Sequence, residues 1–336
     1  MYKKFFMGIA AMAALTLVSC SSDDLNSLSD NSSKNEAISF DGYLGRSAVS
    51  VNGSRGSVVE IADLQTEGFG VFGNYNSTGG QNFGFNLFNN QPVTYSSADK
   101  KWTYSPLKYW PTQGHIDFLA YAPYVKNTTL TDSKINFTVE QNAANQKDLL
   151  WANATSLTKE NKTVTFNFKH ALAKIGYKVQ LKDDYTGTTI KLNKITLAGS
   201  ADGTSKTAFY KERIINLSTG AWTPSTSDEK LNFEWFTNTD GTKLTTTPTD
   251  NADNYLFVIP QNFSALATDQ LYVIVDYTIT YSDNTTVKTK VCKQLEKEFL
   301  QGKAYTINLT IGLTPIEFNA TVDGWGDIED CPIPLN

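Results

Sequence analysis

Few residues in this chain belong to the types that carry chemistry, and their spacing narrows what they can do. There are two histidines, His115 and His170, and three cysteines, Cys20, Cys292 and Cys331. Both histidines are isolated, with no H-E-x-x-H or H-x-H around them, so neither has the spacing of a zinc ligand pair. The absence of any C-x-x-C argues against a cysteine-rich zinc site. No G-x-S-x-G elbow or Walker loop occurs. Gly68, Gly70, Gly73, Gly79 and Gly80 do not match a dinucleotide fingerprint. Asp250-Asn251-Ala252-Asp253-Asn254 has the composition of a calcium loop but not the spacing or closing glutamate of an EF-hand, which favours a solvated turn. Glycosidase carboxylates pair in space rather than in sequence, and nothing nominates a pair. The expectation is a protein that is not an enzyme, with no metal and no cofactor. Six tryptophans, Trp102, Trp110, Trp151, Trp222, Trp235 and Trp325, could build a sugar-stacking platform. Each lies in or beside an expected strand, so core and rim packing is the better reading.

Cys20 stands apart because of what precedes it. Lys3 and Lys4 form a positive start, and Phe5–Val18 is an apolar run too short to span a membrane. Leu17-Val18-Ser19-Cys20 then resembles a bacterial lipobox, in which the cysteine is lipidated and becomes the new N-terminus. The alternative is an ordinary secretory signal with a cysteine at its cleavage site. A lipidated Cys20 would be an anchor in the outer membrane. Residues 1–19 are thus expected to be a lipoprotein signal peptide. Residues 20–36, which include the acidic Ser21-Ser22-Asp23-Asp24, form a polar tether that cannot pack a core. In an oxidising envelope Cys292 and Cys331 could form a disulfide, though sequence alone does not bring them together.

The elements that must position these residues are strands. The 336 residues are enough for two domains, and 40% hydrophobic residues with 12% aromatics support real cores. A net charge of −5 without a basic cluster argues against nucleic acid as a partner. Period-two alternation dominates. Phe69–Gly73, Ile116–Tyr124, Val164–Phe168 and Ile175–Leu181 read as strands, and Tyr255–Gln261 is apolar on both faces, as a central strand would be. Leu271, Val273, Val275, Tyr277, Ile279 and Tyr281 alternate up to a Ser282-Asp283-Asn284 turn. Val287, Thr289 and Val291 return, which makes a hairpin. Phe83–Pro92 reads as a loop, as does the small, polar chain around and after Arg46 and Arg55. Cys292–Leu300 reads as a short helical or irregular turn. Strands without interleaved helices exclude a βαβ plan and point to an all-β protein of antiparallel sandwiches, one over 37–170 and one over 171–336.

Gly302–Trp325 holds two consecutive alternating strands, the first with Tyr305, Ile307, Leu309, Ile311 and Leu313 on one face, the second with Ile316, Phe318, Ala320 and Val322. This L-x-x-GK-x-Y-x-I-N-L-T-I-G-L run, followed by I-x-F-x-A-x-V-x-x-W, resembles the C-terminal segment of the fimbrillin family, the subunits of protease-mediated (type V) pili. The YWP…IDFLAYAPY arrangement (Tyr109–Pro111, Ile116–Tyr124), Asp148–Ala152 and the F-K-H-A-L-A-K-I run at Phe168–Ile175 resemble the same family. The ordered set extends from about Ile38 to Trp325. The resemblance implies two transthyretin-like antiparallel β-sandwich domains in tandem.

It also implies a function, that of a structural subunit of a surface fimbrium contributing to adhesion. The precursor would pass through the periplasm as a lipoprotein and reside at the outer membrane. An Arg-specific protease would cut after the first strand, which would leave and be replaced by a strand from another fimbrial subunit in a homo- or hetero-polymer. In this chain the displaced strand would be Ile38–Leu44, with Ile38, Phe40 and Leu44 facing inward. The candidate cleavage positions are Arg46, nearer the strand's end, and Arg55, in more flexible surroundings. The alternative is that both are solvated loop arginines. A second functional reading is a lipid-anchored surface protein that binds glycans without polymerising, which would need a solvent-facing aromatic platform.

Overall fold

The computed structural model describes residues 36–44, 61–250, 255–265, 267–313 and 317–323. Cys20, Arg46, Arg55, Trp325 and Cys331 lie outside them, together with the expected signal peptide, the tether up to Asn35 and Asn251–Asn254.

The first half supplies β1 (Ser39–Leu44), helix α1 (Ile61–Glu67), β2 (Phe69–Asn76), β3 (Phe88–Ser96), β4 (Lys101–Thr103), β5 (His115–Ala122), β6 (Lys134–Thr138), β7 (Leu150–Leu157) and β8 (Thr163–His170). The second begins with β9 (Ala173–Leu181), β10 (Thr189–Ala198), β11 (Phe209–Tyr210), β12 (Glu212–Asn216), β13 (Trp222–Pro224), β14 (Lys230–Leu231), β15 (Phe233–Lys243) and β16 (Thr249–Asp250). It continues with β17 (Leu256–Val258), β18 (Gln261–Asn262), β19 (Tyr272–Thr280), β20 (Thr286–Gln294), β21 (Glu298–Phe299), β22 (Ala304–Ile311) and β23 (Glu317–Asp323). Among the described residues the fold is all-β apart from α1 and short turns.

Alternation explains most of these strands. β8 buries Val164, Phe166 and Phe168 and exposes the residues between them, and β22 buries Tyr305, Ile307, Leu309 and Ile311, whereas Leu313, expected on the same face, lies past the strand's end and is exposed. β5 is buried on both faces from Ile116 to Ala122, as suits a strand in the middle of a sheet. The expected hairpin is present, with β19 and β20 antiparallel from Tyr272↔Gln294 to Thr280↔Thr286.

A seven-stranded sheet, ordered β1-β8-β7-β5-β2-β3-β4, organises the first half around an aromatic cluster. The second half holds a four-stranded sheet, β15-β10-β19-β20, and a sheet ordered β16-β9-β22-β23 with β17 also on β9. β6 crosses over to pair with β12, in a small β13-β12-β6 sheet. The larger hydrophobic cluster accordingly includes Phe72, Tyr121, Ile135 and Trp151 from the first half beside the core of the second.

Several local expectations are corrected. Two pairings are parallel rather than antiparallel: β1 with β8, and β9 with β22. In each half the opening strand lies beside a late one, an arrangement that alternation cannot reveal because the side-chain period is the same for both directions. Part of the expected loop after Arg55 is α1, drawn in by Leu64, which is fully buried. Phe83–Pro92 is a loop only until Phe88, whose burial starts β3 despite the amides that follow. Cys292 is not in a turn but within β20.

Candidate strand-exchange site

β1 is the edge strand of the seven-stranded sheet, held along one side by a parallel ladder from Ser39↔Thr163 to Leu44↔Phe168. β8 in turn pairs with β7 only at Leu150↔His170 and Trp151↔Lys169. Over Thr163–Phe168, then, β1 is its ladder partner. The two hydroxyls at the start of the ladder, Ser39 Oγ and Thr163 Oγ1, lie 2.8 Å apart.

Among the described residues the other side of β1 lies beside β4 but is hydrogen-bonded through the backbone only at its beginning. Residues 104–110, which follow β4, bend the far end of the sheet back onto it. The Ile38 amide donates to the Lys108 carbonyl (2.8 Å), and the Trp110 amide donates to the Glu36 carbonyl (3.0 Å). The Tyr104 hydroxyl donates to the Ile38 carbonyl (2.7 Å). Burial pushes the Tyr104 hydroxyl pKa up, opposed by its hydrogen bonding with the Lys108 backbone. The Trp110 indole donates to the Lys162 carbonyl (3.2 Å), tying this strap to the turn before β8. Among the described residues, then, the backbone is hydrogen-bonded on both edges near Ile38 and by a ladder on one edge from Ser39 onward.

The inward face of β1 is uncharged and alternates in size. Ile38 and Phe40 are buried, and Leu44 is half-buried against the same cluster. Four rings surround Phe40, with centroids at 5.1 Å for Tyr104, 5.4 Å for Phe88, 5.8 Å for Phe118 and 5.9 Å for the stacked Phe166. These are the distances of favourable edge and offset aromatic contacts. Between Phe40 and Leu44 the inward position is Gly42. A methyl there would lie 3.4 Å from Phe69 Cε1 and 3.5 Å from both Leu64 Cδ2 and Phe168 Cε2. Gly42 and the strap escaped the sequence reading. The missing side chain in an otherwise apolar alternation is the signal that marks such a close approach.

After Leu44 the chain passes through Arg46 and Arg55 and returns as α1, whose Leu64 packs in the same cluster. The chain's remaining arginine is Arg213. It lies in β12, 7% exposed, with its guanidinium 3.0 Å from Asp228 and 3.5 Å above the Tyr210 ring.

The other sequence candidates fall into structural places. His170 ends β8 with Nδ1 2.5 Å from Asp148 Oδ2. Asp148 is fully buried, and burial pushes its carboxyl pKa up against the opposing pull of His170. His115 lies 3.5 Å from Asp117, a buried carboxylate that accepts from the Asn76 amide (2.9 Å) and from the Asn82 and Ser156 backbone amides (2.7 Å each). Among the described residues no group of three or more His, Cys, Asp or Glu is arranged to hold a metal ion. Cys292 is exposed on β20. Trp110, Trp151 and Trp235 are buried, and Trp102 and Trp222 are half-buried. Trp151 lies so close to Gly220, at positive φ, that a methyl on that glycine would come within 2.2 Å of the ring. Each of these five rings is engaged in packing and none forms an open aromatic face.

A family model described as fimbrillin-like matches residues 59–325. A solved fimbrial protein from Bacteroides vulgatus is similar in fold, with a TM-score of 0.69 and 21% identity over 87% of this chain and 100% of that one. A candidate cell adhesion protein from Bacteroides ovatus has a TM-score of 0.50 and 16% identity over 88% of this chain and 99% of its own. Another from Parabacteroides distasonis has a TM-score of 0.50 and 11% identity over 88% and 97%. At these identities the structures speak to fold. No curated protein matches the chain.

Proposed function

Because this chain belongs to the fimbrillin-like family, we propose that it is a cell-surface fimbrial subunit whose first strand is a removable plug. The precursor would be held at the outer membrane by lipidated Cys20. Cleavage at Arg46 or Arg55 by an Arg-specific protease would free β1, and a strand from another subunit would take its seat. The observation that carries this reading is the seat itself: an edge strand on a single full ladder, with its alternate side chains sunk in an aromatic pocket. The shielding of Arg213 supports it too, since a protease cut would then be confined to the linker after β1. An edge strand that departs leaves unpaired backbone groups ready for another strand, and the replacement gains the same ladder.

The incoming strand needs a matching alternation. Ile316, Phe318, Ala320 and Val322 follow the aliphatic, aromatic, small, aliphatic order of Ile38, Phe40, Gly42 and Leu44. Ile116, Phe118, Ala120 and Ala122 come near it but lie in the central strand β5. Among the described residues β23, which holds Phe318, Ala320 and Val322, is the outermost strand of its sheet, on β22, so a second copy carries these residues at a sheet edge. The division into domains at His170 and Ala171 and a Cys292–Cys331 disulfide belong to the same proposal. A mass measurement without reductant tests the latter.

The test of the whole is assembly. Treated with an Arg-specific protease, the chain should give SDS-resistant ladders and a new N-terminus at Ser47 or Gly56. The Arg46→Ala, Arg55→Ala double variant should stay a folded monomer. Ladders from that variant equal to those of the unaltered chain would refute the mechanism.

A further inference from the structure

We propose that the place of Gly42 is a steric key that selects the replacement strand and sets its register. Resting on the strand-exchange reading above, it adds a rule: the seat admits a strand with an aromatic residue at the Phe40 position only if glycine or alanine follows two residues later. The walls show why. A methyl at position 42 makes ordinary contact at 3.4–3.5 Å with Phe69, Leu64 and Phe168, so a larger side chain directed inward would have to displace one of them. Those walls cannot easily give way. Phe69 and Leu64 are fully buried, and Phe69 is itself wedged edge-on against Trp102 (4.8 Å), Phe168 (5.4 Å) and Phe166 (5.8 Å). Close-packed interiors resist added volume because several rings would have to move together.

The neighbouring pocket has the opposite demand. Phe88, Tyr104, Phe118 and Phe166 frame a space filled by a flat ring, and a smaller side chain would leave a cavity. The large pocket and the blocked position sit two residues apart on one strand. A slip of two residues towards the strap would force the ring into the buried place of Ile38 and leave its own pocket to a glycine, and a slip the other way would drive it into the Gly42 wall. A slip of one residue turns the apolar side chains outward. The pair of positions therefore reads both identity and alignment. A strand of uniformly large apolar residues, however hydrophobic, is excluded.

The experiment uses the full chain cut by an Arg-specific protease in the presence of labelled peptides covering residues 315–323. The unaltered peptide and its Ala320→Gly form should be taken up, and the Ala320→Leu form should bind about 10- to 100-fold more weakly. Equal uptake of the leucine peptide would overturn the key while leaving strand exchange intact. Uptake of none of the three would sink the exchange reading and the rule that rests on it. A second measurement tests the seat with no exchange at all. In the uncut chain Gly42→Leu should expose the Thr163–Phe168 amides of β8 to rapid hydrogen exchange, whereas Gly42→Ala should not. Adding Leu64→Ala to Gly42→Leu should restore protection. Protection by Gly42→Leu equal to that of the unaltered chain would show that no such wall exists.

Discussion

Replacing Phe40 by alanine should turn a firmly seated strand into a loosely held one. Phe40 is 4% exposed and is the one residue of β1 that touches four aromatic rings. Truncating a buried phenylalanine typically costs about 3–5 kcal/mol. An edge strand can settle partly into the space left, so the lower figure is the better guide, and about 3 kcal/mol corresponds to roughly a hundredfold in a dissociation constant. The assay begins by cutting the linker with an Arg-specific protease, which leaves β1 bound to the body of the protein only by non-covalent contacts. The cut complex is then diluted, and the mass of the body with and without the strand is followed. The unaltered strand should be retained. Phe40→Ala should raise the dissociation constant about a hundredfold while the freed body keeps its folded spectrum. Retention equal to that of the unaltered strand would mean that the aromatic pocket does not hold β1. Collapse of the body once β1 leaves would mean that the strand is part of one inseparable core, and the plug argument would fail.

Three further outcomes follow from the same geometry. Tyr104→Phe removes the hydroxyl that donates to the Ile38 carbonyl and should speed release of the cut strand by about 2- to 10-fold, the worth of one hydrogen bond; unchanged release would discount the strap as a clamp. Asp117→Ala leaves the Asn82 and Ser156 amides without their acceptor and should cost about 2–5 kcal/mol in urea unfolding; a loss below about 0.5 kcal/mol, the range of neutral surface changes, would mean those amides find other partners. The raised pKa of Asp148 means that the folded protein holds this proton more tightly than the unfolded chain. That contribution to stability is fully present below the ordinary aspartate value of 3.8 and is lost as pH rises through the higher folded value. Asp148→Asn should therefore gain on the unaltered protein as pH rises through that window, read from urea midpoints, and parallel curves for the two proteins would count against a buried, proton-holding carboxyl.

Much of this protein is written in its period-two alternation. Val164-Phe166-Phe168, Tyr305-Ile307-Leu309-Ile311 and the β19–β20 hairpin could be read directly, because each strand has one buried and one wetted face and the turn between β19 and β20 is local. The inward set Ile38 and Phe40 was legible for the same reason, and Arg46 and Arg55 were visible as the only arginines near that strand. The tertiary structure decided what lies across from each strand. A parallel partner over a hundred residues away leaves no mark on alternation, so the β1–β8 and β9–β22 pairings had to be seen. The same holds for β6, which crosses to β12, and for the Tyr104–Trp110 strap. Gly42 shows the divide most clearly. The sequence marks it as a gap in an apolar series, but only the approach of Phe69, Leu64 and Phe168 makes that gap a wall. Alternation records how a residue meets water, whereas pairing and pocket shape depend on distant segments brought together by a shared core.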